Sequence, residues 1–486
     1  MINQIRITCL WFFILTITVS ATSQSEVYLE QILTQVLDNS FAVKSAELRK
    51  DIAGEKFKFY KSLLKPNISL SASIPNFINS STPITQPDGS IAFQSIRQAN
   101  GSLSAFASQV IPATGGTLFI NSDIQRFDDF TTSFHQYNGV PIRAGIVQPI
   151  FGFNPWKYEK AIQDFSLAEA ELTYNIKIEE TLGLATDYYF NILIAKQNLE
   201  IANTNQIVNE KLLKITVERL TLGKVSRDEK LQLEIELNTA KLAVSQASTQ
   251  LEQSIAVLYT FLGLPPLNAE ASFVIPKNLK IANVNIDALI NSSKKYRPEI
   301  IAFQKNKALN KLDLARANAD YGLQANLRAS IGLVRGAEAV KEIYNDPFSE
   351  QRFNITLSVP ILDWGKRAAA TSQIRLQQEE LDAAYQQQIL ELENGIEQRG
   401  LIFSRLQNEI VLLQEIMEKA EERFQISNDR YILGNIDITN LTLAQREKDQ
   451  TKRNFINALK SYWVSYYEIR ALSGYDILNN KEIIYQ

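Results

Sequence analysis

The 486-residue chain holds one cysteine and one histidine, and both scarcities narrow its chemistry. Cys9 stands alone inside an apolar stretch, so an intrachain disulfide, a thiolate zinc cluster and a thiol redox pair are all excluded. His135 lies in the polar stretch TTSFHQYNG (131–139). With no second histidine and no further thiol, neither a metal site nor a histidine-based triad has a context there. The glycine pair at 115–116 is too short for a phosphate loop. Charge of either sign is also not in excess: Lys and Arg number 50 against 53 Asp and Glu, a net of −3. That balance gives no basic surface for phosphates, so no nucleic-acid partner is expected. Beyond residue 25 the chain has no apolar run long enough for a membrane-spanning helix. Nothing points to a cofactor, a metal or an enzyme.

What is present begins at the N-terminus. Arg6 precedes the apolar run ITCLWFFILTITV (7–19), which gives way to the small and polar SATSQS (20–25). This is the pattern of a secretory signal peptide, here 1–24, and the run is short for a spanning helix. Cys9 sits within the apolar core and not at the cleavage point, so a lipidated N-terminus is not expected. An exported chain without a spanning helix is either soluble beyond the inner membrane or a β-barrel, whose strands signal weakly.

The chain is written twice. Pro149 of VQPIFGF recurs as Pro360 of SVPILDW, 211 residues later. Arg219, Leu222 and Gly223 of ERLTLGK recur at the same offset as Arg430, Leu433 and Gly434 of DRYILGN, and Gly263 recurs as Gly474. A constant offset over separate blocks indicates duplication. Upstream the offset changes: LKPNISLSAS (64–73) matches YGLQANLRAS (321–330) at 257, so the first copy carries about 46 extra residues. Part of the excess, NSSTPITQPDGS (79–90), has the composition of loops. The division expected is a first copy over 25–264 (strands 64–150, helices 154–262), a connector over 265–295, and a second copy over 296–486 (strands 321–362, helices 366–472).

Within each copy the period switches. Ile68, Leu70 and Ala72 alternate with polar or small neighbours, as do Ala325, Leu327, Ala329 and Ile331, which predicts two-faced strands. From 155 to 222 the only breaker is Gly183, and apolar residues recur at helical spacing; fully helical, this segment would extend roughly 100 Å. A partner helix follows over 227–261, with Leu233, Leu237, Ala240, Val244 and Ala247 on a coiled-coil stripe. The stretches 366–433 and 438–472 repeat the pair, and 287–291 and 297–318 also read as helical. Gly223 and Gly434 mark the turns between long helices. The fold class is thus mainly α with membrane β: long helical coiled-coil hairpins plus about four strands per chain. Neither half can bury its apolar faces alone, so strands from several chains must close a barrel and helices a tube.

These blocks, LKPNISLSAS, VQPIFGFNPWK, ERLTLGKVSRDEKLQLEIELNTAKL, KYRPEI (295–300), SVPILDWGKR (358–367) and RYILGNIDITNL, resemble the TolC family of outer-membrane efflux proteins over about 27–475. The resemblance implies a channel and not an enzyme: a homotrimer, a twelve-stranded barrel in outer-membrane lipid, and a helical tunnel through the periplasm. It further implies a periplasmic adaptor (membrane fusion) protein and an inner-membrane transporter as partners. The helix turns would form the periplasmic entrance, making Gly223, Asp228, Glu229, Gly434, Asp437, Asn440 and Leu443 the entrance and adaptor-contact candidates. Family members can carry an acidic ring one turn past the second glycine turn, where this chain has Asn440 and Leu443; Asp228 and Glu229 offer carboxylates at the equivalent first turn, with helix-dipole stabilisation as the plainer role. Pro149, Trp156, Pro360 and Trp364 would mark the barrel–tunnel junction. The surplus strands SLSAFASQV (102–110) and TLFINSDIQ (117–125) are expected to form an extracellular hairpin. The function implied is a passive exit duct for small molecules. A duct for a type I protein secretion system, and a periplasmic coiled coil without a pore, are the alternatives.

Overall fold

The computed structural model describes residues 26–265, 272–276, 279–483 and 485, and the side chain of Ile74 is not among them. The expected signal peptide and part of the connector lie outside the described residues. In chain order the elements are β1 (Glu26–Val27), α1 (Leu29–Asn39), α2 (Phe41–Leu63), β2 (Asn67–Thr85), β3 (Ile91–Ile111), β4 (Gly116–Asp129), β5 (Phe134–Pro149), α3 (Trp156–Thr221), α4 (Arg227–Leu262), β6 (Ser272–Phe273), α5 (Ile286–Tyr296), α6 (Pro298–Asp320), β7 (Gln324–Ala337), a short 3-10 turn (Val340–Tyr344), β8 (Phe348–Ser358), α7 (Lys366–Leu433), α8 (Ile438–Ser473), β9 (Tyr475–Asp476) and β10 (Lys481–Glu482). No helix among the described residues is long and apolar enough to cross a membrane.

Element bounds repeat the duplication. Helices α1 and α2 return as α5 and α6 displaced by 257 residues (Leu29 to Ile286, Leu63 to Asp320), and β2 and β7 begin at the same displacement (Asn67, Gln324). Helix α4 returns as α8 displaced by 211 (Arg227 to Ile438, Leu262 to Ser473). Side-chain contacts change between the copies. The Lys50 ammonium lies 4.2 Å from the Tyr174 ring centroid, whereas Lys307, at the place of Lys50, stands 5.4 Å from the Phe303 ring, and Tyr385, at the place of Tyr174, stacks 3.8 Å from Phe303. The helices over 29–63 are additions to the sequence reading, which assigns no element between the signal peptide and residue 64.

The chain divides into two compact units. One comprises the described residues among 26–41, 184–280 and 408–464. It is helical apart from a parallel bridge of β1 to β6, to which Tyr189 donates its buried hydroxyl, reaching the Val27 and Val274 carbonyls at 2.9 and 2.6 Å. The other comprises 42–183, 281–407 and 465–485. It holds the sheet and a buried ionic clamp: Arg470 donates from Nε and Nη2 to the two carboxylate oxygens of Glu179 at 2.8 and 2.7 Å, and the Tyr485 hydroxyl donates to the same carboxylate. Glu179 is fully buried, so the paired fork is what makes a charge tolerable there.

The sheet has six antiparallel strands in the order β2-β3-β4-β5-β7-β8, which corrects the expected four. The surplus segments 102–110 and 117–125 do not stand apart as an extracellular hairpin. They belong to β3 and β4, which lie between β2 and β5 and pair along their lengths (Ser108↔Phe119, Asn100↔Phe127; Phe119↔Gly145). Nor is 79–90 a loop throughout. Strand β2 continues to Thr85 opposite Ile91, because pairing with β3 satisfies its backbone where composition alone suggests solvation. Pro83 is accepted because β2 is an edge strand.

Candidate functional site

Period-two alternation, carried across the sheet by register, separates two faces. One row reads Ile68, Ala107, Ile120, Ala144, Ile331, and the row beside it places Leu118, Ile146, Ala329 and Phe353 side by side. Leu103 faces Ile124 further along, and Leu327 faces Ile355. The opposite face carries Ser69, Phe106, Asn121, Arg143, Gly332 and Glu350 in one row. On that polar face Glu350 accepts from Arg143 at 2.5 Å and from Arg352 at 2.7 Å, and Asn121 donates to Asp123 at 2.7 Å. Much of the apolar face is open: Ile68, Leu70, Phe353 and Leu357 each keep more than half of their surface exposed. A sheet apolar on one side and charged on the other is what a lipid-facing, water-lined wall requires.

The glycine turns lie in the helical unit and are built alike. Gly223 and Gly434 take left-handed φ values of 68° and 83°. Lys224 N–H reaches back to Arg219 O at 2.9 Å and Asn435 N–H to Arg430 O at 2.8 Å, closing each preceding helix in the same reversed turn. Each following helix has a side-chain cap: Ser226 Oγ accepts from Glu229 N at 3.2 Å, and Asp437 Oδ1 accepts from Asn440 N at 2.8 Å and from its amide side chain at 3.0 Å. Of the sequence candidates, Asp228, Asp437, Asn440 and Leu443 are exposed and Glu229 is half-buried.

A tether between the two hairpins emerges that sequence reading did not find. The Tyr431 ring near the end of α7 is buried with Leu212, Leu233, Phe424, Ile438 and Leu441. Its hydroxyl meets Thr216 Oγ1 of α3 at 3.0 Å and donates to Glu229 Oε1 of α4 at 3.0 Å. Arg219 of α3 donates to the Tyr431 carbonyl at 3.1 Å and to the Ile432 carbonyl, and its guanidinium stands 5.8 Å from the Tyr431 ring centroid. It thereby gives the Ile432 carbonyl a donor at the end of α7 and adds a second to the Tyr431 carbonyl, which also accepts from Gly434 N–H at 2.9 Å. Burial pushes the Tyr431 phenol above its ordinary pKa, which keeps it a donor. The signal in the sequence was a break in the repeat: the counterpart of Tyr431 at the 211 offset is Leu220.

The junction residues differ between copies. Pro149 ends β5 opposite Asn326, Ile150 N–H bonds Ala325 O at 2.7 Å, and Trp156 opens α3 half-buried, its N–H held by Asn154 Oδ1 at 3.1 Å. Pro360 is exposed, and Trp364 is 89% exposed at a left-handed φ of 54°. Asp363 there accepts the N–H groups of Gly365 and Arg367 at 3.0 and 3.1 Å, fixing the start of α7.

The outer membrane efflux protein family model matches residues 86–264 and 289–475, two stretches separated by 265–288. The chain belongs to this family. A curated relative, the pyoverdine export outer membrane protein OpmQ of Pseudomonas aeruginosa, is 22% identical over 372 residues, covering 72% of this chain and 74% of the relative. Among solved structures, the Campylobacter jejuni CmeC outer membrane channel aligns at TM-score 0.66 and 16% identity, covering 92% of this chain and 85% of that one. The outer-membrane channel OprN aligns at 0.67 and 16% (92% and 89%), and VceC of Vibrio cholerae at 0.65 and 14% (92% and 96%). At these identities the structures show the fold. The resemblance read from the sequence blocks is therefore borne out, and the family places this chain in the outer membrane.

Proposed function

We propose that this chain is the outer-membrane exit duct of a tripartite efflux assembly, a homotrimer through which small molecules leave passively. Transport would be driven by an inner-membrane transporter through a periplasmic adaptor protein. The observation that carries the reading is the two-faced sheet continuing into long glycine-turned helical hairpins: an apolar face suits lipid and a charged face suits water. OpmQ, named for export of pyoverdine, favours a small solute over a secreted protein. The chain is read as two copies, 25–264 and 296–486, joined by 265–295, although the bounds of α5 attach it to the second copy as the counterpart of α1.

In this reading the turns at Gly223 and Gly434 form the periplasmic entrance. Asp228, Asp437, Asn440 and Leu443 are exposed where an adaptor would meet them, and Asp228 contributes negative potential at the constriction. Pro149, Trp156, Pro360 and Trp364 lie at the junction of barrel and tunnel. The test is reconstitution of the purified protein in planar bilayers. Discrete conductance steps are expected, and an intact, lipid-inserted oligomer that conducts no ions would sink the proposal.

A further inference from the structure

The duplicated chain contains one seam between its copies, β5 with β7, and leaves two sheet edges, β2 and β8, without partners among the described strands. By the repeat offsets, β8 is the counterpart of β5 and β2 the counterpart of β7. The internal seam therefore describes what each bare edge lacks.

At the seam, Pro149 lies opposite Asn326, Gln148 opposite Leu327 and Ile146 opposite Ala329. The Phe153 ring packs 5.0 Å from the Arg316 guanidinium, and Ala325 is only 3% exposed. The counterparts at the outer edges are bare. Ile68, which stands for Ala325, is 78% exposed; Trp364, for Phe153, is 89%; Phe59, for Arg316, is 64%. Long unpaired edges and exposed aromatics of this kind are covered in a stable protein.

We propose that β8 of one copy pairs with β2 of the next in the register of the β5–β7 seam, so that three copies close an eighteen-stranded barrel. The transferred register sets Leu357 opposite Ala72, Val359 opposite Leu70, and Ser358 opposite Ser71, with Trp364 against Phe59 of the neighbouring copy. It matches apolar to apolar on one face and serine to serine on the other, whereas a one-residue slip would set Leu357 against serine. One contact does not carry over: the seam ion pair of Lys305 with Glu169 becomes Leu48 with Glu380.

Closure at twelve strands would require two strands of each copy to leave the ring. Yet β3 is paired to both β2 and β4, and β4 to both β3 and β5. Freeing a pair would expose their backbone donors and acceptors to lipid, which costs several kcal/mol per group. With strands ~4.8 Å apart and tilted ~40°, eighteen give a backbone diameter of about 36 Å, where twelve give about 24 Å. The inference rests on the trimeric channel reading above and goes beyond it in edge, register and bore.

The test uses the full chain with Cys9→Ala, so that engineered thiols are the only ones. Leu357→Cys with Ala72→Cys, and Val359→Cys with Leu70→Cys, should each yield a covalent trimer under oxidation on a non-reducing gel. Leu357→Cys with Leu70→Cys, two positions out of register, should remain monomeric on that gel, because such diagonal pairs lie beyond disulfide reach at about 7–8 Å. A strand count from electron microscopy of the trimer in lipid discs should give eighteen. A native trimer in which both in-register pairs fail to cross-link, or whose barrel has twelve strands, overturns this closure and leaves the exit-duct reading standing. A protein that forms no closed oligomer in lipid overturns both.

Discussion

Tyr431→Phe deletes one oxygen from the hairpin tips and leaves their packing in place. The ring would remain among Leu212, Leu233, Phe424, Ile438 and Leu441, so no cavity term enters. What is lost is one neutral hydrogen bond to Thr216 and one to the Glu229 carboxylate, both at 3.0 Å. A neutral bond contributes about 1 kcal/mol and one to a charged acceptor about 1.5–3. Glu229 is half-buried, so solvent screens its share, and Thr216 can turn its hydroxyl to its own helix backbone. Together these give about 2–3 kcal/mol. If parting of the hairpins opens the entrance, the open population rises about 30- to 150-fold. Arg219→Gln should act in the same direction, because it removes the donors that α3 gives to the Tyr431 and Ile432 carbonyls. The assay is single-channel recording in planar bilayers, with the exposed Tyr344 replaced by Phe as the control. Longer open dwell times and a higher mean conductance are expected for Tyr431→Phe and Arg219→Gln and not for Tyr344→Phe. Intact trimers of both variants with wild-type conductance and dwell times would refute the tether as a restraint on the entrance.

Asp228→Asn should move the zero-current potential in a salt gradient toward the non-selective value; an unmoved potential removes Asp228 from the constriction. Arg470→Met strands the fully buried Glu179 carboxylate and should destabilise by about 3–5 kcal/mol, read as an earlier thermal melt. The double change with Glu179→Leu should recover most of the loss, and if it melts no later than the single variant, the uncompensated charge is not the cause. Burial pushes the Tyr189 and Tyr462 phenols up to about 12. Their folded values exceed the unfolded one, so stability present below pH 10 is lost as pH rises from 10 toward 12, by about 2–3 kcal/mol for each. Loss of helical circular dichroism should accompany tyrosinate absorbance in that window, and ionisation of every tyrosine near pH 10 with helicity unchanged would contradict it. Gly434→Ala forces a left-handed φ of 83° on a residue with a Cβ, at about 1–2 kcal/mol, and should lower trimer yield more than Gly395→Ala within α7, where a Cβ meets open space.

The helices were legible because their signal is redundant. Over α3 and α7 dozens of residues repeat one period with few breakers, and the paired glycines fix where each helix must end. Strand number was not, because a two-faced strand reports only alternation, and β3 alternates serine with alanine and leucine (Ser102, Leu103, Ser104, Ala105), a pattern compatible with loop or sheet. What decides the matter is pairing with β2 and β4, a long-range property absent from any local window. Helices α1 and α2 were legible in principle, since α5 and α6 repeat them at the 257 offset visible in the adjoining LKPNISLSAS block and Leu29, Ile32 and Val36 of α1 recur at helical spacing, but the apolar pattern of α2 is weak: Phe41, Ile52 and Phe59 are exposed in one chain.

The same comparison separates residues that serve both copies from residues that serve only one. Gly223 and Gly434, with the same turn hydrogen bonds behind each, do one job twice. Tyr431 and Leu220 occupy one repeat position and do different work, for only Tyr431 can bridge from α7 to Thr216 and Glu229 of the other hairpin. A tube wall assembled from repeats is uniform wherever the copies agree, so the Tyr431 half of the tether is written where they disagree, while Arg219, whose counterpart is Arg430, joins it from a shared position. The 46-residue surplus obeys the same logic at the other end. It adds two strands to one copy and no helix, so the width of the sheet changes without touching the helical pattern that both copies share.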